Sequence, residues 1–186
     1  KGDARIDGRS GEGIEVSCNN ERYVGKNLLV CTGSEASVPP IPGLKEAGDA
    51  ILTNREILEM ETRPASLVVI GGGVIGMEFA SFFNSLGTRV TVIEMLPEIL
   101  GGLDFEISAM LRDIYTKKGI AFNLNAKVVQ VEGNKVVFEK EGGTHTVEGE
   151  KILLSVGRRP VTRGFGLEKL NIELAGNGIK VDEKMR

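Results

Sequence analysis

The chain has 186 residues, of which 41% are hydrophobic and 26% charged, and its net charge is -3. That composition is ordinary for a globular protein, and the small negative charge gives no reason to expect nucleic acid or an anionic membrane as a partner. No apolar run approaches the ~20 residues needed to cross a bilayer, no signal peptide is visible, and Cys18 and Cys31 are spaced as neither a metal pair nor a close redox pair. Two reduced thiols in a cytoplasmic protein are therefore expected, with no metal. The 25 glycines, many at the ends of apolar runs, suit an α/β protein with short, tight connections.

In chain order, residues 1–31 read as short strands, Ala4 to Ile6, Gly13 to Cys18 and Asn27 to Cys31, separated by turn formers. The run NLLVCTGS stops at a Thr-Gly-Ser turn, as a buried strand ending at a ligand edge does. ASVPPIPGL is held extended by its prolines and reads as a linker. TNREILEMETRPASL carries a helix start at Thr53 or Asn54 and a breaker at Pro64. SLVVI is a buried strand. Residues 74–86 are helical, because Ile75, Phe79, Phe82, Phe83 and Leu86 recur near 3.6 spacing, and Gly87 closes the helix. TRVTVIE is the next strand. Asp104 caps a helix through Lys118, with an expected buried face of Ile107, Met110, Leu111, Ile114 and Tyr115. IAFNL, KVVQVEG, KVVFEK and HTVEGE alternate as a meander or hairpins. KILLSV is a final buried strand ended by Gly157, and the turn-rich tail holds one short strand, Ile179 to Val181.

Gly71, Gly73 and Gly76 form G-x-G-x-x-G. Alone the pattern is weak, but here a strand precedes it, a helix and a second strand follow, and an acid, Glu94, ends that strand. Gly71 lets the chain turn sharply, Gly73 lets backbone approach a pyrophosphate, and Gly76 lets helix and strand pack closely. The helix N-terminus then offers free N–H groups and a positive dipole end.

Glu94 decides the nucleotide. A carboxylate there accepts both adenosine-ribose hydroxyls and repels a 2′-phosphate, and MLPEIL just after it holds no Arg or Lys to compensate. NAD is expected rather than NADP. Glu78 is placed in the first turn of the helix. Either the helix dipole favours an acid there, or the side chain points across the loop toward the nicotinamide half of the cofactor.

The stretches VVIGGGVIGMEFASFFNSLGTRVTVIEMLPEIL, LLVCTGSEASVPPIPG and LLSVGRRP resemble the FAD-dependent pyridine nucleotide–disulfide oxidoreductases, and among them the dihydrolipoyl dehydrogenases, over essentially the whole chain. The resemblance implies a Rossmann-like NAD-binding domain, a parallel sheet with a β-meander crossover, flanked by partial strands of an FAD-binding domain. The expected limits are 1–50 for the partial FAD-binding domain, 51–160 for the NAD-binding domain, and 161–186 for a return segment toward the FAD-binding domain. It implies that the loop of Gly71, Gly72, Gly73, Val74, Ile75 and Gly76 holds the NAD pyrophosphate, that Met77 also belongs to the NAD site, and that Glu94 holds the adenosine ribose. Glu78 would lie beside the nicotinamide, Val128 on the adenine side, and Gly157 at the nicotinamide end. Ala4, Thr32, Gly33 and Ser34 would touch FAD. Arg158 and Pro160 match the family's chain-exit turn, but Val161 stands where the family usually has Asn.

Three further departures matter. The family's first glycine fingerprint and its C-x-x-x-x-C redox pair are absent, as is the C-terminal domain with its catalytic His–Glu pair. His145, the one histidine, sits in a polar hairpin and reads as surface. The expectation is an NAD-binding middle segment of a homodimeric flavoprotein that transfers electrons from dihydrolipoamide, on lipoyl domains of 2-oxoacid dehydrogenase complexes, to NAD through a disulfide and FAD. The segment alone would carry no catalytic residue and be silent. A relative such as an NADH oxidase, mercuric reductase or coenzyme A-disulfide reductase, or a free-standing NAD-binding module, would share the same glycine loop.

Overall fold

A computed structural model of the chain describes residues 2–186. In chain order the strands and helices are β1 (Arg5–Ser10), β2 (Gly13–Cys18), β3 (Glu21–Gly25), β4 (Ser34–Ala36), β5 (Ile51–Leu52), β6 (Ser66–Ile70), α1 (Val74–Ser85), β7 (Arg89–Ile93), α2 (Phe105–Lys117) and β8 (Ala121–Asn123). There follow β9 (Lys127–Glu132), β10 (Lys135–Lys140), β11 (Gly143–Glu148), β12 (Lys151–Leu154), β13 (Arg158–Pro160), β14 (Leu174–Ala175) and β15 (Gly178–Ile179). The chain divides into two compact units, residues 36–157 and a unit made of the segments before and after them.

The larger unit is built on a five-stranded sheet ordered β5-β12-β6-β7-β8, in which every neighbouring pair is parallel. Both faces of such a sheet are covered, so its strands read as unbroken apolar runs. All five residues of β6 are buried. Their alternation sorts them: Leu67 and Val69 join Met77, Ala80 and Phe83 of α1 in one core, and Val68 and Ile70 join Val131, Val136 and Phe138 of the meander in another. Truncating one of these, Leu67→Ala for example, costs about 2–5 kcal/mol. The meander is the antiparallel sheet β9-β10-β11. The expected α/β architecture, a parallel sheet with a meander returning the chain to it, is the one observed.

Three expectations need correction. The first concerns α2. Asp104 caps it as expected, its Oδ1 accepting from the amides of Glu106 (2.9 Å) and Ile107 (3.2 Å). Its inward face, however, is Ser108, Leu111 and Tyr115, while Ile107, Met110 and Ile114 are exposed. Residues 108, 111 and 115 share one stripe at helical spacing and 107, 110 and 114 the next; both read apolar, and only packing selects between them. The second concerns Thr53. No helix starts there; only the single 3-10 turn Glu56–Glu59 forms, with Arg55 as its N-cap and Ile57 buried. The extended approach to Pro64 leaves no room for more. The third concerns Asn27 to Cys31, which pairs with no strand among the described residues; Leu29 is 85% exposed.

The smaller unit holds the antiparallel sheet β1-β2-β3, the ribbon of β4 and β13, and the short hairpin of β14 and β15, the last slightly ahead of the expected Ile179 to Val181. The division between the units falls after Glu35 and after Gly157 rather than at residues 50 and 160. Residues 36–50 pack with the larger unit: Leu44 lies in its second core, and the Pro42 carbonyl accepts from the Val131 amide at 2.9 Å.

Candidate functional site

The carboxyl ends of the parallel strands make one edge. Leu154, Ile70 and Ile93 stand side by side in register, and Ile93 pairs with Asn123. The ladder runs one bond further, Ser155 N–H to the Ile70 carbonyl (2.8 Å), Gly71 N–H to Ile93 (2.9 Å) and Glu94 N–H to Asn123 (2.8 Å). From β6 the chain moves through β7 to β8 on one side, then returns through the meander to β12 on the other. The strand order therefore switches between β6 and β12, the place where open α/β sheets bind ligands.

The glycine loop lies at that switch. Gly71 has φ +103°, and a Cβ on it would lie 2.3 Å from the Ser155 carbonyl oxygen. A Cβ on Gly76 would lie 2.2 Å from the Gly71 carbonyl oxygen. The protein's own backbone thus requires both glycines. Gly73 differs: a Cβ there would meet nothing within 4 Å, so the space beside it is an open cradle. Gly73 is also the N-cap of α1 and supplies no side-chain cap; the first helical bond is Met77 N–H to the Gly73 carbonyl, 2.9 Å. The amides of Val74, Ile75 and Gly76 precede that ladder, and an uncapped helix start beside an open cradle fits a phosphate.

Glu94 closes the other side. Its Oε2 accepts from the Gly72 amide at 2.5 Å and its Oε1 from the Leu96 amide at 2.8 Å. Its backbone carbonyl accepts from Ala126 at 2.9 Å, and Val128, half-buried against the second core, follows two positions along β9. The structure therefore brings Gly71, Gly72, Gly73, Gly76 and Glu94 to one edge, with Val128 on the meander strand that leaves Ala126. Gly157 follows Ser155 out of β12, its carbonyl accepting from the Ser37 amide at 3.0 Å.

Glu78 is not where the sequence reading put it. Gly73 is the N-cap, so Glu78 is beyond the first turn, which holds no acid. The dipole's hold on a charge fades within that turn. Glu78 is exposed, and the described ion pairs do not include it.

The residues expected at a flavin lie in the smaller unit. Ala4 is exposed just ahead of β1. Thr32 Oγ1 donates to the Val161 carbonyl (2.6 Å), and the Val161 amide donates to the Gly33 carbonyl (3.0 Å). Arg158 Nε donates to Ser34 Oγ (2.9 Å), and its Nη2 to the Ser34 carbonyl (2.6 Å). Val161, in place of the family's Asn, thus makes its bonds through backbone alone. His145 is exposed and stacks on Phe138 with ring centroids 5.5 Å apart. Among the described residues both cysteines are free, no group of His, Cys, Asp or Glu is arranged to hold a metal, and no helix is long and apolar enough to cross a membrane.

Sequence reading missed Ser155, Leu96 and Leu100. Ser155 crowds Gly71 and, through its Oγ 3.3 Å from a Cβ on Gly76, the helix start as well. The available signal was its place as the first polar residue after the apolar run KILL.

A parallel sheet with its glycine loop at the switch point defines a Rossmann-like α/β protein. The family model for pyridine nucleotide-disulphide oxidoreductases matches residues 4–186, and the chain belongs to that family. Membership implies a flavin and a pyridine nucleotide. The chain is 42% identical over 174 residues to a dihydrolipoyl dehydrogenase of Acholeplasma laidlawii, covering 92% of this chain and 51% of the relative. It is 41% identical over 182 residues to a dihydrolipoamide dehydrogenase of Chaetomium thermophilum, covering 93% and 36% respectively. Among solved structures it is similar to LpdA of Mycobacterium tuberculosis, with a TM-score of 0.82 and 28% identity over 97% of this chain and 41% of that one. It is also similar to the HOCl-induced flavoprotein disulfide reductase RclA of Escherichia coli in its Cu(II) complex, with a TM-score of 0.84 and 27% identity over 98% and 41%. The chain spans about half the length, or less, of the curated relatives named here.

Proposed function

We propose that this chain is the NAD(H)-binding portion of a larger flavoprotein disulfide oxidoreductase of the dihydrolipoyl dehydrogenase type. The observation that carries the reading is the open cradle at Gly73, walled by the Gly72–Glu94 hydrogen bond and set at the uncapped start of α1. The amides of Gly73 to Gly76 would bind the pyrophosphate, and Gly72, Val74, Ile75 and Met77 shape the loop around them. Glu94 already holds the Gly72 and Leu96 amides; its remaining lone pairs would accept the adenosine-ribose hydroxyls. Val128 would lie on the adenine side, with Gly157 and Glu78 toward the nicotinamide. Thr32, Gly33, Ser34 and Ala4 would border the flavin. FAD held there would supply the two-electron chemistry, and this chain's part would be to hold the nucleotide in place.

The choice of dihydrolipoamide as electron donor is supported by the named relatives at 41–42% identity. Fold alone does not select it, since RclA shares the architecture. Lipoyl domains as partners and a homodimeric parent belong to the same proposal. The chain's own cysteines, Cys18 and Cys31, do not form a C-x-x-x-x-C pair, so the purified chain should not reduce or oxidise lipoamide; robust turnover would show that it works by another route.

Calorimetric titration of the purified chain with NADH and NADPH tests the binding reading. Saturable NADH binding, with NADPH weaker by at least about tenfold, is expected because a 2′-phosphate would face the Glu94 carboxylate. Equal affinities, or none for either nucleotide, would overturn it.

A further inference from the structure

The loop between β7 and α2 buries a carboxylate, Glu98, which is 7% exposed. A buried carboxylate is tolerated when it is paired and hydrogen-bonded. Its partner is Arg112 on α2, whose Nε lies 3.0 Å from both carboxyl oxygens. Glu98 Oε1 also accepts from the Ile99 amide at 2.9 Å, and Arg112 Nη1 reaches Asp113 at 3.0 Å. The next two residues touch the glycine loop. Ile99, fully buried, places Cγ2 3.1 Å from where a Cβ on Gly72 would sit. The Leu100 amide donates to the Gly72 carbonyl at 2.8 Å. Leu100 does so at φ +54°, a conformation that a leucine adopts only when its surroundings hold it there.

Gly72 is thereby gripped at both of its peptide groups, its amide by Glu94 and its carbonyl by Leu100. The Gly72 carbonyl and the Gly73 amide belong to one planar trans peptide and point in opposite directions. With the carbonyl fixed on Leu100, the Gly73 amide is turned away from the β7–α2 loop. Without the grip, that peptide is free to rotate and carry its donor elsewhere.

We propose that Arg112, acting through Glu98, is a positioning residue for the Gly72–Gly73 peptide, holding the Gly73 amide as a donor for the pyrophosphate of the bound nucleotide. The inference rests on the reading of residues 71–76 as an NAD(H) site. Arg112 itself needs no contact with the nucleotide.

The test compares Arg112→Met, Arg112→Lys and Glu98→Gln in the full 186-residue chain. Leu111→Ala serves as the control, since it loosens the same helix from the core that holds Ile99 and Leu100 without removing a hydrogen bond or ion pair of the Arg112–Glu98 anchor. NADH, ADP and adenosine affinities are measured beside melting temperature, and Leu100 amide exchange is followed by NMR. Arg112→Met should weaken NADH and ADP by about tenfold, the loss of one hydrogen bond to a charged group. Adenosine, which lacks phosphates, should change by less than about twofold, and the Leu100 amide should exchange faster. Arg112→Lys should recover part of the loss, and Glu98→Gln should act in the same direction as Arg112→Met, which keeps the question open to test if the methionine variant fails to fold. Leu111→Ala should lose melting temperature and keep NADH affinity. The proposal is overturned if Arg112→Met leaves NADH affinity unchanged, if adenosine suffers as much as NADH, or if Leu111→Ala weakens NADH equally. If the unaltered chain binds no NADH, the nucleotide reading fails by itself. Leu100 exchange then decides the anchor, and protection in Arg112→Met equal to that in Leu111→Ala sinks it.

Discussion

The amide of Gly72 donates a 2.5 Å hydrogen bond to the carboxylate of Glu94, joining the glycine loop to the end of the neighbouring strand. This acid shapes the loop, and under the proposed function it would face the ribose as well. Glu94→Ala should weaken NADH binding by about 1–3 kcal/mol and also lower the melting temperature, because the Gly72 and Leu96 amides lose their acceptor. Glu94→Gln keeps an acceptor oxygen and should recover part of the stability. Calorimetry and thermal melts of the pair check this; an unchanged NADH affinity in Glu94→Ala removes the residue from the site.

Gly73 and Gly76 should respond oppositely to the same substitution. Gly76→Ala forces a methyl to 2.2 Å from a backbone oxygen and should destabilise the protein by about 1–3 kcal/mol or more. Gly73→Ala meets open space at an ordinary φ of -70°, and its backbone-entropy gain of about 0.4–1 kcal/mol is offset by alanine being a poorer N-cap than glycine, so stability should hold to within about 1 kcal/mol. Its methyl fills the cradle, however, and NADH affinity should fall. Denaturant melts with parallel titrations separate the two, and a folded Gly73→Ala that binds NADH normally would show that the cradle is not used.

Glu78 lies past the reach of the helix dipole and is exposed. Glu78→Ala should therefore change stability by no more than about 0.5 kcal/mol. A larger loss in a denaturant melt would mean that the acid serves the fold, and the case for its place beside the nicotinamide would weaken.

Glu56 provides a pH test away from the site. Its carboxylate accepts from the Thr53 hydroxyl (2.5 Å) and amide (2.8 Å), and these bonds, the hydroxyl's first, hold it below the ordinary glutamate value. A carboxylate depressed in the folded state stabilises at pH above its unfolded value, about 4.3. That contribution fades as pH falls through the folded value. Glu56→Gln should thus melt below the unaltered protein at neutral pH, with the gap closing in acid. A gap of constant size from about pH 7 to about pH 3 would rule the linkage out.

Much of the site could be read from the residues themselves. Gly71, Gly73, Gly76 and Glu94 carry their spacing in the chain, and LVVI and ILL are apolar throughout because both faces of a parallel sheet are covered. These features are local or periodic, so a linear string records them. What the string could not record is which of two adjacent apolar stripes of α2 turns inward, since Leu111 and Met110 are equally hydrophobic and only the sheet decides. Nor could it record that Asn27 to Cys31, an apolar run, has no strand partner among the described residues, because a strand exists only where another pairs with it. The grip on Gly72 belongs to the same class. Glu94, Leu100 and, behind it, Arg112 are scattered along the chain, and only the packing of α2 and its preceding loop against the sheet brings the first two to the two peptide groups of Gly72 and sets Arg112 on Glu98 behind them.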